Sequence, residues 1–203
     1  MINYAGMKAE ESRGEAYEQL PVGAYVGICL DAKVEGVPPQ QFLKLALDVD
    51  DPKSPYNGYY AKRLAHDQQQ GSKYEVKFKG TFSLRVPDPK NQWPETDMRR
   101  MNDMIAKFEN SNIGFHFDGQ ELKLKGLKIG FSTQEDEYNG NTFTRIGRLE
   151  NVDDVQAGTV NPMPKRKRNE NQSTANGMPL PPSQTPIDPV SGMPIVNTTE
   201  LPF

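Results

Sequence analysis

From Lys73 to Val86 the chain reads KYEVKFKGTFSLRV and alternates apolar and polar positions almost without interruption. Tyr74, Val76, Phe78, Phe82, Leu84 and Val86 share one parity. Lys73, Lys77, Lys79, Thr81, Ser83 and Arg85 share the other, with Glu75 the one acidic exception. A period of two predicts a strand with one face buried and one solvated. Gly80, in mid-run, predicts a bulge or bend of the kind small barrels need at their corners. The solvated face is basic, which suits an anionic ligand. It also suits a strand that is merely kept soluble, since charged outer faces are the rule for half-buried strands.

The same alternation recurs upstream. Val22, Val26, Ile28, Leu30 and Val34 share a parity against Tyr25, Asp31, Lys33 and Glu35, predicting a strand with the valines and leucine in the core. After a loop at Gly36 to Gln40, Leu43, Leu45, Leu47 and Val49 alternate with Phe42, Lys44, Ala46 and Asp48, predicting a second strand that pairs with the first as an antiparallel hairpin. Asp50 to Gly58 is a turn cluster, YYAKRL at Tyr59 to Leu64 reads as a short strand, and His66 to Ser72 reads as a polar loop. Met98, Met101, Ile105 and Phe108 recur at helical spacing, predicting a helix docked by that stripe, with Thr96 as its N-cap, Asp97 at the positive end of its dipole and Asn110 to Asn112 as its stop. Leu122 to Phe131 and Thr142 to Val152 read as two further strands. Asn139-Gly140 between them is a strong hairpin signal, and Glu135, Asp136 and Glu137 give the hairpin an acidic rise.

Beyond Gln156 the apolar periodicity ends. The last 48 residues hold nine prolines and a single aromatic, Phe203. Such a composition cannot bury enough surface to offset its ordering entropy, so a disordered tail is expected over 156–203. Residues 1–20, with four glutamates, read as an N-terminal arm, leaving 21–155 as the folded domain. The chain carries a net charge of -3, and the tail holds four cations against three anions. The domain is therefore mildly acidic, and an anion-binding surface on it must be local. A hydrophobic fraction of 35% agrees with a chain that is folded only in part. One cysteine, Cys29, excludes an internal disulfide, and no apolar run is long enough for a signal peptide core or a bilayer span. These features predict a cytoplasmic protein without membrane association.

The order strand, strand, strand, helix, strand, strand is that of the OB-fold, a five-stranded Greek-key barrel with a helix between strands 3 and 4. The predicted class is therefore all-β with one helix. OB-folds bind oligonucleotides on the face of strands 2 and 3 and with the flanking loops. The outward parity there offers Phe42, Lys44, Tyr60, Lys62, Arg63, Lys77, Lys79 and Arg85, and the last hairpin adds Tyr138, Phe143, Arg145 and Arg148. Cations that track phosphates, interleaved with rings on which bases stack, are what a sequence-tolerant single-strand binder requires. Tyr59 and Tyr60 would point opposite ways in a strand, so at most one is a platform. Trp93 reads as a cap for the helix. Lys165 to Arg168 form a short basic cluster that suits a nuclear signal or loose association with phosphates.

The chain ends Glu200-Leu201-Pro202-Phe203. In its barrel, its Pro/Asn-rich tail and this tip it resembles bacterial single-stranded DNA-binding proteins. The body, in PVGAYVG, the mid-chain helix and ELKLKGLKIGF…EDEYNGNTFTRI, looks like small phage-encoded proteins of replication and recombination. The resemblance implies single-stranded DNA protection, with RNA binding and a homo-oligomer both compatible. It also implies recruitment of replication or recombination proteins through Glu200, Leu201, Pro202 and Phe203, although this chain has Thr198-Thr199 where the family tip carries aspartates. Two isolated histidines, His66 and His116, and the lack of a phosphate loop or paired-cysteine pattern speak against an enzyme and against a metal or cofactor. The alternative is a non-enzymatic adaptor or structural protein built on the barrel.

Overall fold

A computed structural model describes residues 17–70, 75–138 and 141–167. The described residues all belong to the first compact unit of the chain; residues 168–203, with the expected disordered tail and partner-docking tip, lie outside the described residues, as do residues 1–16 of the expected arm. The first unit is mostly sheet. β1 (Ala24–Glu35), β2 (Phe42–Val49), β3 (Thr81–Arg85), β4 (Lys128–Tyr138) and β5 (Asn141–Glu150) form an antiparallel sheet in the order β3-β2-β1-β4-β5. A two-residue β6 (Arg166–Lys167) pairs in parallel with β4. The expected closed barrel is an open sheet, with β3 and β5 as its edges. One helix was expected and three are present among the described residues: α1 (Tyr59–Gln69), α2 (Pro94–Ser111) between β3 and β4, and the short α3 (Val152–Gln156).

The β1–β2 hairpin has the expected pairing, with Glu35 opposite Phe42 and Cys29 opposite Leu47. In β2 the predicted parity holds: Leu43, Leu45, Leu47 and Val49 are buried. In β1 the parity is reversed. Gly27, Cys29 and Ala32 face the core, whereas Val22, Leu30 and Val34 are exposed. β1 is the central strand, and the space beside it is taken by large neighbours. A Cβ on Gly27 would stand 2.6 Å from the Phe131 ring and 2.6 Å from the Asp48 carbonyl, so only small residues fit inward there. A bulge between Cys29 and Asp31 then lets Ala32 rather than Asp31 turn inward.

The segment Tyr59 to Leu64, expected as a strand, is the first turn and a half of α1, and the predicted loop from His66 is its continuation. The stretch contains no β-branched residue, glycine or proline, and Ala61, Lys62, Arg63, Leu64 and Gln68 are good helix formers. Its N-terminal amides are satisfied from a distance. Asp48 on β2 accepts from Tyr60 N at 2.8 Å and Ala61 N at 3.0 Å, while Gly58 takes the left-handed conformation that only glycine adopts freely. Tyr59 and Tyr60 are both buried and meet edge to face. The Tyr59 hydroxyl donates to Glu18 O and accepts from Leu20 N, so the end of the supposed arm is pinned to the body and Leu20 is core.

The strand expected over Lys73 to Val86 is shorter than the alternation suggests: Lys73 and Tyr74 lie outside the described residues, Glu75 to Gly80 is irregular and only Thr81–Arg85 is β3. Gly80 marks its entry rather than a bend within it. A Cβ there would lie 2.2 Å from Leu47 O and 2.7 Å from the Tyr60 ring. The apolar parity behaves as expected, with Phe78, Phe82, Leu84 and Val86 packed on the core. α2 begins at Pro94, two residues before the expected Thr96 cap, because proline is well suited to a first helical position. Its core stripe runs through Met101, Met104, Ile105 and Phe108, and Met98 lies outside it, half exposed. Asn112 ends the helix and ties it to β4, donating to Phe108 O and Lys128 O and accepting from Lys128 N. The expected strand from Leu122 is instead a 3-10 turn (Glu121–Leu124); β4 starts at Lys128 and carries the acidic run Glu135 to Glu137 within it. Tyr138 pairs with Asn141, so β4 and β5 form a hairpin; the Asn139-Gly140 pair expected to turn it lies outside the described residues.

Candidate nucleic-acid interface

β2 and β3 present the clearest of the predicted features. Antiparallel register sets Phe42 opposite Arg85, Lys44 opposite Ser83 and Ala46 opposite Thr81, all on the parity turned away from the core. The Arg85 guanidinium carbon lies 5.6 Å from the centroid of the Phe42 ring, within cation–π range. Lys44 and Lys33 both bond Glu35, Lys33 at 2.6 Å. These two bonds, Lys33 first, hold the Glu35 carboxyl down at about 2. Glu35 is therefore an anion at neutral pH and offsets part of the positive charge of this face. Lys77 and Lys79 are exposed on the irregular segment leading into β3.

The remaining predicted residues are dispersed. Tyr60 is 1% exposed beneath Gly80 and Phe78, so it is core and not a stacking platform. Burial pushes its phenol well above the ordinary range. Lys62 and Arg63 sit on α1 rather than on a strand beside β2. Lys62 borders a cleft with Tyr17, Tyr56 and Tyr59, and Arg63 reaches Asp67 at 3.9 Å and the Tyr59 hydroxyl at 3.4 Å. Phe143 is half-buried opposite Asp136. The side chain of Tyr138 lies outside the described residues. Trp93 stands at the start of α2, as expected of a cap residue, but its side chain caps nothing and is 61% exposed.

Arg145 and Arg148 come together with Arg166 of the basic cluster and with Arg100, which the sequence reading did not single out. They line a cleft of about 580 Å³ between the two sheet edges, with Thr81 to Leu84 of β3 on one side and Arg100 of α2 and Arg166 of β6 completing it. Arg145 is paired with the buried Asp136 at 3.2 Å and Arg148 with Glu150 at 2.5 Å. The segment expected to open the tail, 157–167, is therefore packed on the body as far as Lys167. Met163 covers Gly147, Gln134 Nε2 donates to Pro164 O at 2.7 Å, and Lys165 bridges Glu135 and Glu137 at 2.6 and 3.2 Å. A basic run and an acidic run of opposite sign were the available signal for this docking.

Among the described residues no group of three or more histidines, cysteines and carboxylates could hold a metal ion, and no helix is long and apolar enough to cross a membrane. No known protein family matches this chain, and no curated protein matches it either.

Proposed function

We propose that the chain is a sequence-non-specific single-stranded DNA-binding protein of phage replication and recombination, built on an OB-type barrel left open at one seam. The observation that carries the reading is the outward face of β2 and β3, where a half-buried ring, Phe42, lies under Arg85 and beside Lys44. A flat ring among cations is the minimal unit of sequence-tolerant single-strand binding. The strand order supports the fold assignment, since joining β3 to β5 would close a five-stranded barrel with α2 between its third and fourth strands. RNA is a competing ligand for the same chemistry, and self-association is compatible with it. The terminal Glu200 to Phe203 recruits replication or recombination proteins, and the host cytoplasm is the compartment. The adaptor reading draws instead on Trp93 and Met98, both exposed at the start of α2.

The test is fluorescence titration with oligo-dT at several salt concentrations. Replacing Lys77, Lys79 and Arg85 together by neutral residues lowers affinity and reduces the salt slope by about 0.7 for each phosphate that is no longer neutralised. Unchanged affinity in that variant would remove the β2–β3 face from the site.

A further inference from the structure

The cleft between β3 and β5 is lined by four arginines brought from three elements: Arg100 on α2, Arg145 and Arg148 on β5, and Arg166 on β6. Among the described residues a single carboxylate lines it, Asp103, and that group is taken by Lys107 at 2.7 Å. Arg145 and Arg148 are held by Asp136 and Glu150 from the sheet itself. Arg100 and Arg166 are exposed, and among the described residues neither has a carboxylate at ion-pairing distance. Sheet edges also turn unpaired backbone N–H groups outward, and both edges border this cleft. Guanidinium groups together with N–H donors, and no uncommitted carboxylate, describe a site for phosphate oxygens. Its volume lies inside the range of about 300–1,000 Å³ typical of ligand clefts.

Arg166 is in place because the root of the tail is strapped down. Lys165 bridges Glu135 and Glu137, β6 pairs with Asp136 and Glu137, and Met163 sits on Gly147. The acidic run of β4 thus serves to hold a basic strand, so that one more cation reaches the cleft. β3 borders both surfaces: Ser83 is opposite Lys44 on one side and lines the cleft on the other.

We infer that the β3–β5 seam is a phosphodiester-backbone subsite for single-stranded nucleic acid, completed by Arg166 from the root of the tail. The inference rests on the single-strand reading above and adds a second surface to it. Arg145 and Arg148 are left untouched in its test because they also serve buried carboxylates.

The experiment compares the full-length chain with its Arg100→Ala/Arg166→Ala variant. Each is titrated at salt concentrations from about 0.1 to about 1 M with oligo-dT, oligo-U and an abasic deoxyribose-phosphate oligomer, and the two are also compared in thermal unfolding. Removing two guanidinium–phosphate pairs lowers the salt slope by about 1.4, which is about 25-fold in affinity at about 0.1 M salt and vanishes towards about 1 M. The same factor is expected on the abasic oligomer, with unchanged thermal unfolding because both side chains are exposed. A double variant within two-fold of wild type and with the same slope overturns the seam while leaving the β2–β3 reading intact. So does a loss on oligo-dT that is absent on the abasic oligomer, which would mean recognition of bases. Failure of the wild-type chain to bind any of the three probes overturns both.

Discussion

Phe42 and Tyr60 show how burial separates two aromatics that look equally suited to stacking. Phe42 lies on the outer parity of β2, half-buried, with Arg85 over its ring. Tyr60 is enclosed, and its hydroxyl finds no hydrogen-bond partner among the described residues. Phe42→Ala is expected to cost about 1–3 kcal/mol of single-strand affinity with little change in stability. Tyr60→Phe leaves both within about 1 kcal/mol, whereas Tyr60→Ala costs about 3–5 kcal/mol of stability by opening a cavity. Oligo-dT titration and urea unfolding of the three variants check this, and a large affinity loss in a fully folded Tyr60→Phe chain would return that residue to the site. Phe42, Lys44, Arg85, Arg145 and Arg148 are legible from alternation alone. Arg100 is not, because it belongs to the polar face of a helix, and Arg166 is legible only as part of the basic cluster Lys165 to Arg168 in a proline-rich segment. Neither setting carries a period that points at a ligand.

At the scale of elements, α1 is misread by local pattern because its cap is not local. Helix N-termini are ordinarily signalled by Ser, Thr, Asp or Asn just before the helix, but here Gly58 precedes it and the carboxylate comes from Asp48, ten residues earlier and on a strand. Tyr59-Tyr60 then biases a local reading towards a strand. Asp48 is 3% exposed and also accepts from Val49 N at 2.8 Å. Asp48→Ala leaves three amides without that acceptor, in a region with little access to water. A loss of about 2–4 kcal/mol is expected in urea unfolding, with loss of helical signal in far-UV circular dichroism. A variant of unchanged stability would show that α1 does not depend on this cap. Alternation overextends β3 for a related reason: it persists from Glu75 to Gly80, but only from Thr81 does β2 supply a partner in register.

For the whole molecule, the division of labour between body and tail is testable without disturbing the fold. In the proposed function the terminal Leu201-Pro202-Phe203 is presented on a long segment whose composition cannot build a core of its own. An apolar Leu-Pro-Phe stretch beside the Glu200 carboxylate suits a partner pocket with an apolar floor and a basic rim. Deleting residues 201–203 from the full chain is expected to leave oligo-dT affinity within two-fold and to abolish capture of replication or recombination proteins from host lysate. Identical partner sets for the full-length and deleted chains would sink the tip as a docking element.

The sequence by itself determined the pieces whose information is local. These are the β1–β2 hairpin, the inward leucines of β2, the core-facing stripe of α2 and the β4–β5 hairpin. In each, periodicity or turn chemistry acts within a few residues. Only the tertiary structure decided what depends on partners far along the chain. β1 turns its small residues inward because Phe131 and the β2 leucines already fill the space beside it. α1 forms where Asp48 can receive its amides. The root of the tail is ordered because an acidic strand some thirty residues earlier holds its lysine. The arginine cleft exists only because the sheet stays open between β3 and β5, and that opening is a property of the assembled sheet rather than of any strand in it.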